Sequence, residues 1–286
     1  MNNDLKNYLS NYLKETITNM SAVHGGDISA AYKIETSNNT YFLKVNNNSD
    51  ALKMFQTEAY GLQLISDTNT IKTPKVKAFN SYKNSAFLLL EFVESKQPSP
   101  KDFKNLGKQL AQMHQHTSDT FGLDQDNFIG RLPQRNTRHK NWTDFYTYER
   151  LWPQLELAKR KGLLKDNEYP KSEHIKNQLN YLFENVKPTL LHGDLWSGNY
   201  LISKDGTPYL IDPAAYFGHH EIDIAMSKLF GGFGDTFYSA YLNHVPTDKF
   251  TSARIEIYQL YYLLVHLNMF GNSYYGSVIS ILKTYF

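Results

Sequence analysis

The run LLHGDLWSGNYLI, an Asp205-Gly206 turn and PYLIDPAAY together restrict the fold of this chain more than any other feature. Two short apolar runs joined by a turn-forming pair read as a β-hairpin. They interrupt a second half whose periodicity is otherwise helical. Apolar residues recur at three- and four-residue spacing at Phe103, Leu106, Leu110 and Met113, across residues 145–157 and across residues 175–183. Helical periodicity returns in the last third, where Tyr258, Tyr261, Tyr262, Val265 and Leu267 are candidates for burial. A polar hairpin inside a helical region sits where chemistry would.

The first half has the opposite character. Leu5, Tyr8, Leu9, Tyr12, Leu13 and Ile17 form one apolar stripe, which predicts an opening helix. AAYKIETS and TYFLKVN alternate apolar and polar residues on either side of Asn38-Asn39, a second hairpin. Asp50 stands as the N-cap of a helix through Ile65, with Leu52, Phe55, Ala59, Leu62 and Ile65 on its inner face. Past Pro74, VKAF and AFLLLEFV supply two more strands. Single cores stop growing near about 250–300 residues, so a chain of 286 residues accommodates two lobes around a cleft. The expected fold is α+β and bilobal, with a small antiparallel-sheet lobe over residues 1–94 and a larger, mainly helical lobe over residues 95–286.

Composition removes several classes of function. With no cysteine there are no disulfides, thiolate metal sites, cysteine nucleophiles or thiol redox control. A net charge of +2 gives no argument for nucleic acid or an anionic membrane as partner. The opening MNNDLKNYLSNYLKETI carries an early Asp4 and no apolar core of a secretory signal. No stretch approaches the roughly 20 apolar residues of a membrane span, and the expected location is the cytoplasm. The oligomeric state is not legible.

The chemistry is carried by His192-Gly193-Asp194-Leu195-Trp196-Ser197-Gly198-Asn199, a carboxylate five residues before a carboxamide, then an apolar strand and Ile211-Asp212. In kinases of the protein-kinase type this D-x-x-x-x-N spacing sets an aspartate at the acceptor hydroxyl and an asparagine on Mg²⁺, and a second aspartate beyond the hairpin holds the metal. The γ-phosphoryl group gains little from covalent help, so positioning and charge neutralisation by hard oxygen-bound cations matter most. The bland reading of the same string is a polar turn. Lys44 on the strand YFLKV and Glu58 inside the next helix weigh against it, because a strand lysine on the α- and β-phosphates and a helix glutamate orienting it belong to the same machinery. Gly25 and Gly26 would let backbone N–H groups approach phosphate oxygens, although neither G-x-G-x-x-G nor a Walker A element is present. Glu91, Phe92 and Val93 end the last strand where a connector would offer backbone groups to adenine; LLLEFV also reads simply as a buried strand. Asp223 is by default a helix N-cap, with bracing of the catalytic loop as the kinase alternative. His219 and His220 read as structural or surface residues, since adjacent side chains diverge.

The strings GGDIS-A-Y, YFLKVN, EAYGL, LLLEFVE, LGKQLAQMH, FGLDQDNFIG-LPQ-N, NWTDFY--ERL, HGDLWSGN and IDPAAYFGHHEIDIAM resemble the fructosamine kinase family, also called ketosamine-3-kinases, nearly end to end. The resemblance implies a protein-kinase-like fold and ATP- and Mg²⁺-dependent phosphorylation of the sugar 3-hydroxyl of a ketoamine, free or carried on a glycated amine or protein, and hence deglycation. It assigns Asp194 as base, Asn199 and Asp212 as metal ligands, and Lys44 with Glu58 as phosphate clamp. Trp196 would stack on the sugar or pack the loop. Asp126, Asn127, Trp142 and Arg150 fall in the matching stretch as further substrate candidates. Alternatives are an aminoglycoside- or choline-type kinase on the same core, or a nucleotide-binding pseudokinase. No A-P-E segment follows Asp212, and Glu221 begins the next helical stretch nine positions on (221 − 212 = 9), so a long activation loop does not fit and a small acceptor group is expected.

Overall fold

The computed structural model describes residues 3–23 and 29–286. The glycine pair at positions 25 and 26 lies outside the described residues. Helix α1 (Asn3–Leu13) leads into β1 (Ile17–Ala22), β2 (Ala30–Thr36) and β3 (Thr40–Asn46), followed by α2 (Ala51–Asp67), β4 (Val76–Tyr82) and β5 (Ser85–Glu91). The five strands form one antiparallel sheet in the order β1-β2-β3-β5-β4. The opening helix stops short of the Ile17 included in its stripe. Lys14 takes φ 55°, which ends the helix, and Ile17 starts an edge strand instead.

The period-2 alternation of the central strands sorts side chains onto two faces. Leu43, Phe87 and Leu89 pack with Leu5 and Leu9 of α1. Ala86, Leu88 and Leu90 pack with Phe55, Ala59 and Leu62 of α2. Lys44 follows Leu43 and so points to the α2 side, where Glu58 is. Asp50 occupies the N-cap position of α2, but its side chain makes no capping hydrogen bond there, because its backbone (φ −91°, ψ 1°) lacks the extended geometry a capping oxygen needs.

The rest of the chain is mainly helical. Ser99 caps α3 (Pro100–Met113) in a reciprocal box with Asp102. A short hairpin of β6 (Asn127–Ile129) and β7 (Leu132–Gln134) follows. Residues 142–160 then run as α4 (Trp142–Phe145), a π-helical segment (Tyr146–Leu151) and α5 (Trp152–Arg160), and α6 (Ser172–Leu182) packs beside them. The polar hairpin is more elaborate than two strands. β8 (Thr189–Leu191) pairs with β11 (Tyr216–Gly218), enclosing the pair β9 (Tyr200–Ile202) and β10 (Pro208–Leu210). Helices α7 (Glu221–Leu229), α8 (Asp235–Leu242), α9 (Thr251–Phe270) and α10 (Tyr275–Tyr285) complete the chain. Helix α9 is buried on most of its circumference, including Tyr258, Tyr261 and Tyr262. No helix among the described residues is long and apolar enough to cross a membrane.

Candidate active site

Lys44 and Glu58 form an ion pair of 2.7 Å beneath the sheet, and the same ammonium binds the Asp212 carboxylate. One cation therefore ties the β3 strand, the α2 helix and the loop after β10 together. Burial acts to lower the Lys44 pKa, but the Asp212 and Glu58 carboxylates outweigh it and keep the amine protonated. Burial pushes the Glu58 carboxyl up, against the pull of Lys44, since two carboxylates share one ammonium.

Asp194 follows the tight turn at Gly193. Gly193 has φ 82°, and a Cβ there would lie 2.2 Å from the Ala214 carbonyl oxygen, so only glycine lets the two loops close. The Asn199 side-chain N–H donates to the Asp194 main-chain carbonyl (2.8 Å) and to its carboxylate (3.2 Å). That donation uses the nitrogen end of the carboxamide and leaves Oδ1 as the end able to ligate a cation. Burial first, then the nearby Asp212 charge, raises the Asp194 carboxyl to about 7.

The frame around these groups is densely hydrogen-bonded. Asp223 accepts from the main-chain N–H groups of His192 and Gly193, each at 2.8 Å, and from His114 Nε2 at 3.1 Å. Burial would raise its carboxyl, but His114 and these donors hold it below the ordinary range. Asp223 is the third residue of α7, inside the helix, so it braces the loop at His192 and Gly193 instead of capping a terminus. His192 Nε2 donates to the Ile211 carbonyl while Nδ1 accepts from the Asp194 N–H, which fixes a neutral tautomer; burial lowers its pKa accordingly. Tyr262 of α9 donates its hydroxyl to the Gly193 carbonyl at 2.7 Å. The sequence marks Tyr262 only as a burial candidate and His114 only as the end of LGKQLAQMH, and neither is legible as part of the site because neither sits in the motif it supports.

The remaining candidates divide. Glu91 closes β5 and is bonded to Lys75 through main chain and carboxylate, while Phe92 and Val93 run beyond the strand. Trp196 is 37% exposed, with its indole lying where a Cβ on Gly198 would be, at 2.4 Å. It packs its own loop and is still partly exposed. Trp142 and Arg150 are corrected from substrate candidates to core residues. Trp142 is 3% exposed, donates to Tyr258 and stacks among Phe145, Tyr146 and Phe121. Arg150 is fully buried, donating to Arg135 O and Asn136 Oδ1 with its guanidinium 3.9 Å from the centre of the Tyr216 ring. Asn127 is also buried, its amide committed to protein groups. Asp126 is exposed and accepts from the Asn136 N–H, on the rim of an open groove of about 510 Å³ beside Asp50, Lys53 and Thr57.

The histidine pair converges instead of diverging. His219, His220 and Glu221 bring ligand atoms within 4.8 Å of one another. Both Glu221 oxygens, however, are held by Arg254 at 2.6 Å, and burial keeps His219 and His220 neutral. This is an ion-pair lock between α7 and α9.

A family model described as fructosamine kinase matches residues 1–286. A probable ketoamine kinase of Lactiplantibacillus plantarum is 39% identical over 98% of this chain and 99% of its own. The chloroplastic protein-ribulosamine 3-kinase of Arabidopsis thaliana is 39% identical over 94% of this chain and 83% of its own. Among solved structures, a putative fructosamine-3-kinase from Haemophilus somnus superposes with a TM-score of 0.87 at 30% identity, covering 98% of this chain and 96% of the other.

Proposed function

The chain belongs to the fructosamine kinase family, and we propose that it transfers the γ-phosphoryl group of ATP to the sugar 3-hydroxyl of a ketoamine. The observation that carries the proposal is the Lys44 ammonium shared by Glu58 and Asp212, next to the pair of half-buried Asp194 and buried Asn199. In this reading residues 1–94 and 95–286 are two lobes, with the nucleotide between them and its adenine edge at Glu91, Phe92 and Val93.

The roles follow from the donor chemistry. Lys44, oriented by Glu58, neutralises the α- and β-phosphates. Asn199 Oδ1 and the Asp212 carboxylate are hard oxygen ligands that fit Mg²⁺, which when bound neutralises phosphate charge. The Asp194 carboxylate accepts the proton of the acceptor hydroxyl as its oxygen forms a bond to the γ-phosphorus and the bond to the β-bridging oxygen breaks, releasing ADP. The exposed face of Trp196 would cover the apolar face of the sugar.

The test is ADP release from purified protein with ATP, Mg²⁺ and a panel of fructosyl and ribulosyl amines, aminoglycosides and choline. Ketoamine-dependent turnover is expected. Turnover only with the other alcohols would move the chain to a different acceptor class, and nucleotide binding without turnover of any acceptor would make it a scaffold.

A further inference from the structure

The string NFIG-LPQ-N has no part in the chemistry just described, yet its polar side chains are buried. Asn127, Gln134 and Asn136 are 5%, 2% and 1% exposed. Burial of three carboxamides is costly unless each is bonded, so where their bonds go is informative. The Asn127 amide donates to Ala215 O (2.9 Å), and the Gln134 amide donates to Asn127 Oδ1 (2.8 Å) and Ala214 O (3.3 Å). Asn136 donates to Asn127 Oδ1 (3.0 Å) and accepts from Arg150 (2.7 Å), while Tyr261 of α9 donates to Gln134 Oε1 (2.6 Å).

The carbonyls they hold belong to the segment leaving Asp212. Asp212 has φ 55°, a left-handed conformation that a non-glycine residue keeps only when its surroundings fix it. Upstream it is held by the Ile211 N–H on Asn199 O and by His192 on Ile211 O. Downstream the Ala214 N–H bonds His192 O at 2.9 Å. On its other side the segment meets α2, where a Cβ on Gly61 would lie 3.1 Å from Pro213 Cγ and 3.4 Å from Ala215 Cβ. Gly61 is three residues past Glu58, on the same face of the helix.

We infer that the β6–β7 hairpin is a fixed clamp that, through Asn127 and Gln134 as positioning residues, holds Pro213–Ala215 against α2 and so sets the conformation of Asp212. The inference rests on the assignment of Asp212 to the metal given above. With no room for an activation segment after Asp212, the hairpin supplies from elsewhere in the chain the support such a segment would give, and it does so permanently.

The test uses Gln134→Met and Tyr261→Phe, singly and together, in the full chain. Three quantities are read: amide exchange of the Ala214 N–H in ligand-free protein, thermal unfolding, and kcat against the KM for ATP. Gln134→Met should speed Ala214 exchange and lower kcat by about ten-fold, with the KM for ATP within about two-fold. The double variant should regain thermal stability, because the Tyr261 hydroxyl no longer lacks a partner, without regaining kcat. Recovery of kcat together with stability, or wild-type exchange and kcat in Gln134→Met, would overturn the clamp. Should Gln134→Met not fold, Tyr261→Phe removes only a hydroxyl and carries the same readouts: faster Ala214 exchange with lowered kcat supports the clamp, and wild-type values of both overturn it. Asp212→Asn separates the two readings. Its full activity would reject the metal assignment, whereas the exchange of Ala214 in the hairpin variants still reports whether the segment is held.

Discussion

As the proposed base, Asp194 would meet two opposed requirements, since a base must be ionised to act and burial favours its protonated form. Replacing it with asparagine keeps the acceptor oxygen that Asn199 bonds but removes the base. Asp194→Asn should lower kcat by at least about 10²-fold and leave ATP affinity nearly unchanged, read by steady-state kinetics and nucleotide titration. Its stability should shift as well. The folded carboxyl is raised to about 7 from an ordinary 3.8, so the folded state binds the proton more tightly than the unfolded state. The stabilising effect of that bound proton is complete below about pH 4 and is lost as the pH rises through about 7. Asparagine does not titrate. In metal-free buffer the variant should match the wild type near pH 4 and exceed it above pH 7 by roughly 2–3 kcal/mol, less than the whole shift implies because the carboxylate keeps some contact with water. Parallel stability–pH curves from denaturant melts would contradict a buried, raised carboxyl.

At the scale of elements, α2 does two things at once: it carries Glu58 to Lys44 and lays Gly61 against Pro213 and Ala215. A glycine in a helix interior is unfavourable by about 1 kcal/mol relative to alanine. Gly61→Ala should therefore improve the helix while pressing it away from the Asp212 loop. The expected outcome is an unfolding free energy within about 1 kcal/mol of wild type and a several-fold loss of kcat/KM. Wild-type kinetics in this variant would mean that the fit of α2 on the loop is slack. Helix α9 has the complementary role. Its buried tyrosines bond the Gly193 carbonyl, Gln134 and the Trp142–His219 pair, so one helix supports loops far apart in sequence.

For the whole molecule, the proposed nucleotide site joins the sheet and the helical region, so a ligand filling it should stabilise both. A ligand at about 100 times its Kd adds roughly 2.7 kcal/mol, a rise of several degrees in the unfolding transition for a chain of this size. ADP with Mg²⁺ should produce that rise and ADP with a chelator a smaller one, with the difference lost in Asp212→Asn. Equal shifts with and without Mg²⁺, measured calorimetrically, would contradict Asn199 and Asp212 as its ligands.

Local pattern was enough for whatever depends on neighbours in sequence. The apolar runs of β2, β3 and β5 marked the strands, three- and four-residue spacing marked the helices apart from their ends, and the D-x-x-x-x-N spacing with Asp212 beyond a Gly turn marked the residues proposed to react. Tertiary structure alone decided what depends on distant partners. Trp142, Arg150 and Asn127 share a stretch with exposed Asp126, and no periodicity in so irregular a segment tells a side chain that lines a cleft from one committed to the core. Asp223 became a brace instead of a cap because two loop N–H groups from 30 residues away needed an acceptor. The support of Asp212 by the β6–β7 hairpin has the same origin. Hydrogen bonds from carboxamides to backbone carbonyls 80 and 88 residues on leave no trace in local sequence, since the carbonyls they satisfy are present at every position of any chain.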